Sequence, residues 1–395
     1  MLLSLLAWCI ALPPALLLTV LLIELLIGTF SARSTGRSAA ASPRPWRSAI
    51  LMPAHNEAAG ITRFITALAP HLDANTRLIV IADNCSDDTA AIARAAGATV
   101  IERQDATLRG KGHALAFGRD WLAQDPPDCV VVLDADCEMA GDGLRQLIDR
   151  CGTSARPVQS CYLLRSHAGD SPMVQISNFA FLIKNRVRQR GATRLGAPAI
   201  LGGTGMAFPW ALFKDAPLAT SDLVEDLVLG IDFARAGQAP IYLENALTWS
   251  DPASQQDTRT QRTRWEHGFI HTAFGQGLPL IAEGIGKMRW SLIWLGLHLF
   301  VPPLALLMML GVAAWIGTGL LALLGASTTP FALLFALLAS ATVALAMAWS
   351  RYGREAVSAA TLARIPLYLA WKVPVYLKLV RGKESEWVRT KRAGE

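Results

Sequence analysis

The chain opens with thirty residues in which Glu24 is the only charge, a run longer than the apolar core of a signal peptide and long enough to cross a bilayer. No basic leader and no clear small-residue cleavage site accompany it, so residues 1–30 read as a retained transmembrane helix, kinked or started by Pro13 and Pro14. Glu24 is expected near the cytoplasmic end, where it can reach the interface; a buried polar role is the alternative. A second apolar block fills 291–350 with a turn signal at Gly325–Pro330, which predicts a hairpin of two spans within 287–350. Between these blocks the pattern changes to short apolar runs that alternate with helical ones. A strand is predicted over 48–52, breaking into a polar loop at Pro53–Glu57. A helix over 58–70, a strand at Leu78–Ala82, a helix to Ala96 and a strand at Ala98–Glu102 follow, the alternation of a parallel α/β sheet. Residues 355–380 are apolar but broken by Arg364, Pro366, Lys372 and Pro374, which predicts one or two helices lying in the interface; a fourth span is the alternative.

Charge orients this pattern. Hydrophobic residues make up 52% and charged residues 17% of the chain, and the net charge is +6. Arg33, Arg37, Arg44 and Arg47 follow the first span, Lys287 and Arg289 precede the second, and Arg351 and Arg354 follow the third. These flanks are expected on the cytoplasmic side, so a linker at 31–47 leads to a cytoplasmic domain at 48–286, and 351–395 ends in a basic tail. The expected location is a bacterial-type inner (plasma) membrane, multi-pass, with an anionic leaflet attracting the basic flanks. Nucleic acid is excluded as a partner, because the cations cluster beside apolar segments rather than in an aromatic-interleaved patch. The six cysteines form no Cys-x-x-Cys pair and read as small apolar fillers. His267 and His271 stand four apart without the glutamate of an HExxH site, so no metal is assigned to them.

Polar clusters fall where the predicted strands end. His55 and Glu57 follow the first strand, Asp83 to Asp88 the second, and Asp134 and Asp136 the run Val130-Val131-Val132-Leu133. Open α/β sheets bind ligands beyond the carboxyl ends of their strands, so these clusters are expected to converge. Asp87 or Ser86 is expected to cap the next helix, leaving Asp83 free to accept hydrogen bonds from a base or ribose. Asp136 at a strand tip, with Asp134 beside it, has the hard oxygen chemistry of a divalent-cation site. Lys111 between Gly110 and Gly112 suits an anion approaching a helix start, although a solvated turn has the same composition. Asp222 and Glu225 have capping-box spacing, a structural role that Asp226 lacks. Gly202-Gly203-Thr204-Gly205 predicts a tight loop, and Gln261-Arg262-Thr263-Arg264-Trp265 lies on an expected interfacial helix at 255–275.

Taken in order, Pro-Ala-His-Asn-Glu, Asp-Asn-Cys-Ser-Asp-Asp-Thr, Gly-Lys-Gly, Asp-Ala-Asp, Gly-Gly-Thr-Gly, Val-Glu-Asp and Gln-Arg-Thr-Arg-Trp resemble the membrane-bound family-2 glycosyltransferases over 48–268. That group includes cellulose, hyaluronan and poly-N-acetylglucosamine synthases and ceramide glucosyltransferase. The resemblance implies a GT-A (Rossmann-like) domain, an inverting mechanism, a nucleotide-diphosphate sugar donor of uridine type, and Mg²⁺ or Mn²⁺. It places the metal on Asp136 with Asp134, the catalytic base at Asp226, and the donor at His55, Glu57, Asp83, Lys111, Asp134 and Arg264. Gly203, Thr204, Gly205, Gln261 and Trp265 would face the acceptor. Val224 stands where the family's motif has threonine.

Three spans make a small wall for a polysaccharide channel, and 291–350 carries few polar side chains. The expected reaction is therefore transfer of one sugar to a membrane-embedded lipid or lipid-linked saccharide, in exopolysaccharide or glycolipid synthesis. A processive synthase, alone or with polysaccharide-synthesis partners, is the first alternative. An inactive scaffold subunit and a nucleotidyltransferase are the others, and neither calls for the full motif set.

Overall fold

The computed structural model describes residues 1–31, 45–167, 169–220, 224–251 and 255–381. Most of the linker, the basic tail from 382 and Asp222 lie outside them. The chain forms two compact units. Among the described residues, one is built on a sheet and takes 45–165 and Pro198–Gln261; the other is helical and takes Met1–Ser31, Ser166–Ala197 and 262–381. The sequence pattern places 48–286 in one domain, whereas the contacts group 166–197 and the chain after 262 with the apolar helices.

The sheet unit has eight strands. They are β1 (Ser48–Ala54), β2 (Thr76–Asp83), β3 (Thr99–Arg103), β4 (Cys129–Val132), β5 (Cys137–Met139), β6 (Val158–Leu164), β7 (Met206–Pro209) and β8 (Ile241–Ser250). Their spatial order is β3-β2-β1-β4-β7-β6-β8-β5. The first four are parallel, in line with the strand–helix alternation of the sequence. β7 runs antiparallel between β4 and β6, and β5 antiparallel on β8. β4 is buried at all four positions, as expected of a central strand covered on both faces. Val130 and Val132 pack with Ile79, Ile81, Leu115, Phe208 and Phe233 in one apolar core. Each such side chain, fully buried, contributes about 1.5–3 kcal/mol.

In the helical unit, three helices among the described residues are long and apolar enough to cross a membrane: Leu2–Phe30, Leu304–Leu323 and Thr329–Gly353. The first runs unbroken through Pro13 and Pro14, which therefore lie inside it rather than at its start. The second apolar block differs from the expected hairpin: a separate helix, Trp290–Phe300, comes first, and the chain breaks at Val301–Pro303 because two prolines in succession cannot continue its hydrogen-bond ladder. The helix carrying the Gln-Arg-Thr-Arg-Trp segment is also longer than expected, Gln255–Gly286. At the other end a short helix, Ala359–Leu362, precedes Ile365–Arg381, which contains Pro374.

Glu24 does not reach an interface. It is fully buried, and Arg188 and His298 bond its two carboxylate oxygens at 2.7 and 2.6 Å. Arg188 closes a π-helical turn, Ile183–Arg188, between the helices Pro172–Leu182 and Gln189–Arg194. The backbones here almost touch. A Cβ on Gly28 would lie 1.9 Å from the Val187 carbonyl oxygen, and one on Gly191 would lie 2.1 Å from that of Glu24. Arg190 donates to the carbonyls of Gly28 and Ser31 and to the Tyr352 hydroxyl.

Candidate functional site

The site lies in the sheet unit. Leu133 still donates to Leu51, but at Asp134 the ladder with β1 has ended and the backbone N–H goes to the Thr204 hydroxyl at 3.0 Å. That bond ties the strand tip to the glycine loop. Gly203 has φ +84° and turns its carbonyl towards Lys111, which donates to it at 2.6 Å. A Cβ at 203 would make ordinary contacts, 3.4 Å from Asp226 Oδ2 and 3.7 Å from Lys111 Nζ, so these two groups flank the loop and it is the positive φ that calls for glycine. Gly205 has a different reason: its Cβ would lie 2.1 Å from Ser160 Oγ.

Lys111 starts the helix Lys111–Leu122 and also forms an ion pair with Asp134. Burial works against its ammonium, yet Asp134, with Glu225 and Asp226 further off, raises its pKa above the ordinary value. Glu225 and Asp226 open the helix Glu225–Arg235. Burial, reinforced by the adjacent Asp226 carboxylate, pushes the Glu225 pKa up to about 7. Two carboxylates at one site resist being ionised together.

Asp134, Asp136 and Cys137 bring their ligand atoms within 4.8 Å of one another, and this is the metal-type cluster among the described residues. The donor set fits a hard divalent cation through its two carboxylates. The Cys137 thiol is a soft donor beside two hard ones, and burial first, and then Asp134, push its pKa up to about 12. It donates to Asp136 Oδ1 at 3.2 Å.

Asp83 departs from expectation. It is buried, and its Oδ1 accepts from Arg103 at 2.7 Å and from Asn84 at 3.1 Å, so that oxygen is not left for a base or ribose. β3 ends at Arg103 directly beside Asp83 in register, which is the physical reason. His55 Nδ1 lies 2.8 Å from the Asp83 carbonyl, and the Glu57 N–H donates to Thr89. Asp87 fixes the start of the next helix by accepting from Thr89 and reaching back to Ala58. The structure thus brings together Lys111, Asp134, Asp136, Gly203, Thr204 and Asp226, with His55 and Asp83 at the neighbouring strand ends. The side chains of Gln261 and Arg264 lie outside the described residues. Trp265 belongs to the helical unit, where its ring packs 5.9 Å from that of Phe181. His267 bonds the Val375 carbonyl. Sequence reasoning missed Arg103, Cys137 as a neighbour of the carboxylates, and Glu225 as more than a cap; only the adjacency of Glu225 and Asp226 hinted at the last.

Residues 43–268, more than half of the chain, match the family described as Glycosyltransferase like family 2. The chain belongs to glycosyltransferase family 2. Among solved structures it is similar to the mannosyltransferase PcManGT from Pyrobaculum calidifontis, in complex with GDP-Man and Mn²⁺. That likeness covers 95% of each chain at 16% identity and a TM-score of 0.50, and it speaks for the GT-A fold. Glucosyl-3-phosphoglycerate synthase from Mycobacterium tuberculosis, in complex with Mn²⁺, uridine-diphosphate and glucosyl-3-phosphoglycerate, is 23% identical. It covers 58% of this chain and 81% of its own at a TM-score of 0.38, too low to carry an argument. No curated protein sequence matches the chain.

Proposed function

We propose that this glycosyltransferase is a membrane enzyme that moves one sugar, with inversion, from a nucleotide-diphosphate sugar to a lipid or lipid-linked saccharide. The observation that carries the reading is the gathering of Asp134, Asp136, Lys111, the Gly203 carbonyl and Asp226 around one strand tip. PcManGT holds a donor of the same class, GDP-Man with Mn²⁺. Asp134 and Asp136 are the groups that would hold Mg²⁺ or Mn²⁺, which when bound neutralises charge on a departing diphosphate. Lys111 adds a fixed cation beside them. Asp226 takes the proton from the acceptor hydroxyl as its oxygen attacks the anomeric carbon opposite the leaving group. Glu225, whose pKa burial and the adjacent Asp226 carboxylate raise to about 7, shares this end of the helix with Asp226, and the two resist being ionised together.

Support for a single transfer comes from the spans. Between Leu304 and Ala348 there is no carboxylate, amide or cationic side chain, so these helices offer little to line a sugar path. The test is a donor screen on purified membranes that reads released nucleoside diphosphate with and without lipid extract, followed by mass spectrometry of the products. Acceptors carrying one added sugar support the reading. A ladder of many sugars overturns it in favour of a processive synthase.

A further inference from the structure

Asp134 and Asp136 stand two residues apart but are held by different parts of the sheet. Asp134 follows the central strand β4 and is tied to Thr204. Asp136 precedes β5, which has three residues, comes last in the strand order and joins the sheet through β8. In that order β7, β6 and β8 stand between β4 and β5. A three-residue ladder is a weak hold, since each backbone hydrogen bond contributes about 0.5–1.5 kcal/mol net. The spacing of the two carboxylates therefore depends on what else fixes β5.

A closed ring of four side chains does so, all of them in the sheet unit. Arg63, in the first turn of the helix Ile61–Leu68, donates to Glu138 of β5 at 3.1 Å and to Asp251 at 2.8 Å. Arg165, just after β6, donates to Glu138 and, at 3.2 Å, to the same Asp251. The Arg165 N–H bonds the Ser250 carbonyl at 3.0 Å, which seats this arginine at the end of β8. Ser250 faces Cys137 in the register, so the ring closes over the β5–β8 pair that begins directly after Asp136. Each guanidinium bridges both carboxylates, and a planar, rigid fork fixes the distance between them. The Glu138 and Asp251 side chains are only 19% and 22% exposed, so the ring is less screened than an isolated surface pair, which contributes little.

We propose that this ring is a positioning device for Asp136: by holding β5 it sets the separation of the Asp134 and Asp136 carboxylates, and with it their affinity for a divalent cation. The inference rests on reading that pair as the metal site. Small hard cations demand near-ideal ligand geometry, so a displaced carboxylate costs affinity even when its charge is kept. Arg63, Glu138, Arg165 and Asp251 act through the strand and stand outside the Asp134–Asp136–Cys137 cluster.

The experiment measures Mn²⁺ binding to the full-length protein in maltoside micelles by electron paramagnetic resonance, which reads the free ion, with no sugar donor present. Mn²⁺ is added alone, and then with GDP or UDP. Arg165→Met is expected to weaken Mn²⁺ affinity about tenfold. That is the low end of the 10–100-fold range for groups bonded to a metal ligand, because the ring acts from further out. Arg165→Lys, whose single ammonium cannot bridge both carboxylates, should fall between. Arg63→Met is expected to weaken affinity several-fold; its site is 58% exposed, so it guards against an Arg165 variant that fails to fold. Arg94→Met, which breaks the surface pair with Glu102 in the same unit, should bind Mn²⁺ as the parent does. Melting temperatures are recorded for every variant. Arg165→Met and Arg63→Met that bind Mn²⁺ like the parent, whatever their melting temperatures, overturn the inference and leave the metal site standing. An equal loss in Arg94→Met overturns it too, as general loosening of the unit. A parent protein that binds no Mn²⁺, alone or with either nucleotide, removes the metal reading and this inference with it.

Discussion

Arg188 donates from Nε to the Glu24 carboxylate at 2.7 Å across 164 residues of sequence, with both side chains buried. Charges at such depth are tolerated because each satisfies the other, and His298 takes the second carboxylate oxygen. Removing one partner leaves the other buried and unpaired. Glu24→Ala is therefore expected to cost about 3–5 kcal/mol, read as a large drop in melting temperature in detergent. Replacing Glu24, Arg188 and His298 together by Leu, Met and Phe should cost much less. A single variant as stable as the parent would remove the ion pair from the account.

Asp136→Asn is expected to abolish transfer while membrane insertion and thermal stability stay close to those of the parent, since the side chain sits at a strand tip outside the core. EDTA should reproduce the loss in the unmodified protein and Mg²⁺ or Mn²⁺ should reverse it. Full turnover in EDTA would sink the metal assignment.

Asp226→Asn is expected to lower transfer by about 10²–10⁴-fold, the range of a lost general base. Donor affinity, measured by calorimetry, should stay nearly intact, because the base acts on the acceptor. If donor binding collapses together with turnover, Asp226 belongs to the donor site.

Glu225 makes stability depend on pH. Its folded-state pKa, about 7, is above the ordinary 4.5, so between those values the folded protein binds more protons than the unfolded chain. Its contribution is full below about 4.5 and is lost as pH rises towards 7, with a slope of at most about 1.4 kcal/mol per pH unit for one proton. Urea unfolding of metal-free protein across that window should show the decline, and Glu225→Gln should flatten it. An unchanged slope in the variant means that another group titrates.

The sequence makes the strand tips legible because polarity switches sharply there: four buried apolar residues and then Asp134. The partners of those tips are another matter. Lys111 meets Asp134 across 23 residues and Arg103 meets Asp83 across 20, separations set by strand order and register rather than by any local period. Asp83 looked free because its neighbour lies on the next strand. Glu24 misled for a similar reason: a lone carboxylate in an apolar run does not reveal that an arginine and a histidine far along the chain will come to it. The break at Val301–Pro303 could have been read from Pro302 and Pro303, but continuous hydrophobicity on either side masked it.

The close seating of the first helix has a practical result for anyone wishing to obtain the catalytic part alone. Residues 1–31 look like a detachable anchor, and a fragment beginning near residue 45 looks like a soluble version of the enzyme. Such a fragment would keep Arg188 and Arg190 but lose the Glu24 carboxylate and the Gly28 and Ser31 carbonyls that hold them, and it would uncover Gly191, which has no side chain to fill the gap. The anchor is an internal part of the helical unit, and a stable excision has to take residues 166–197 away with it.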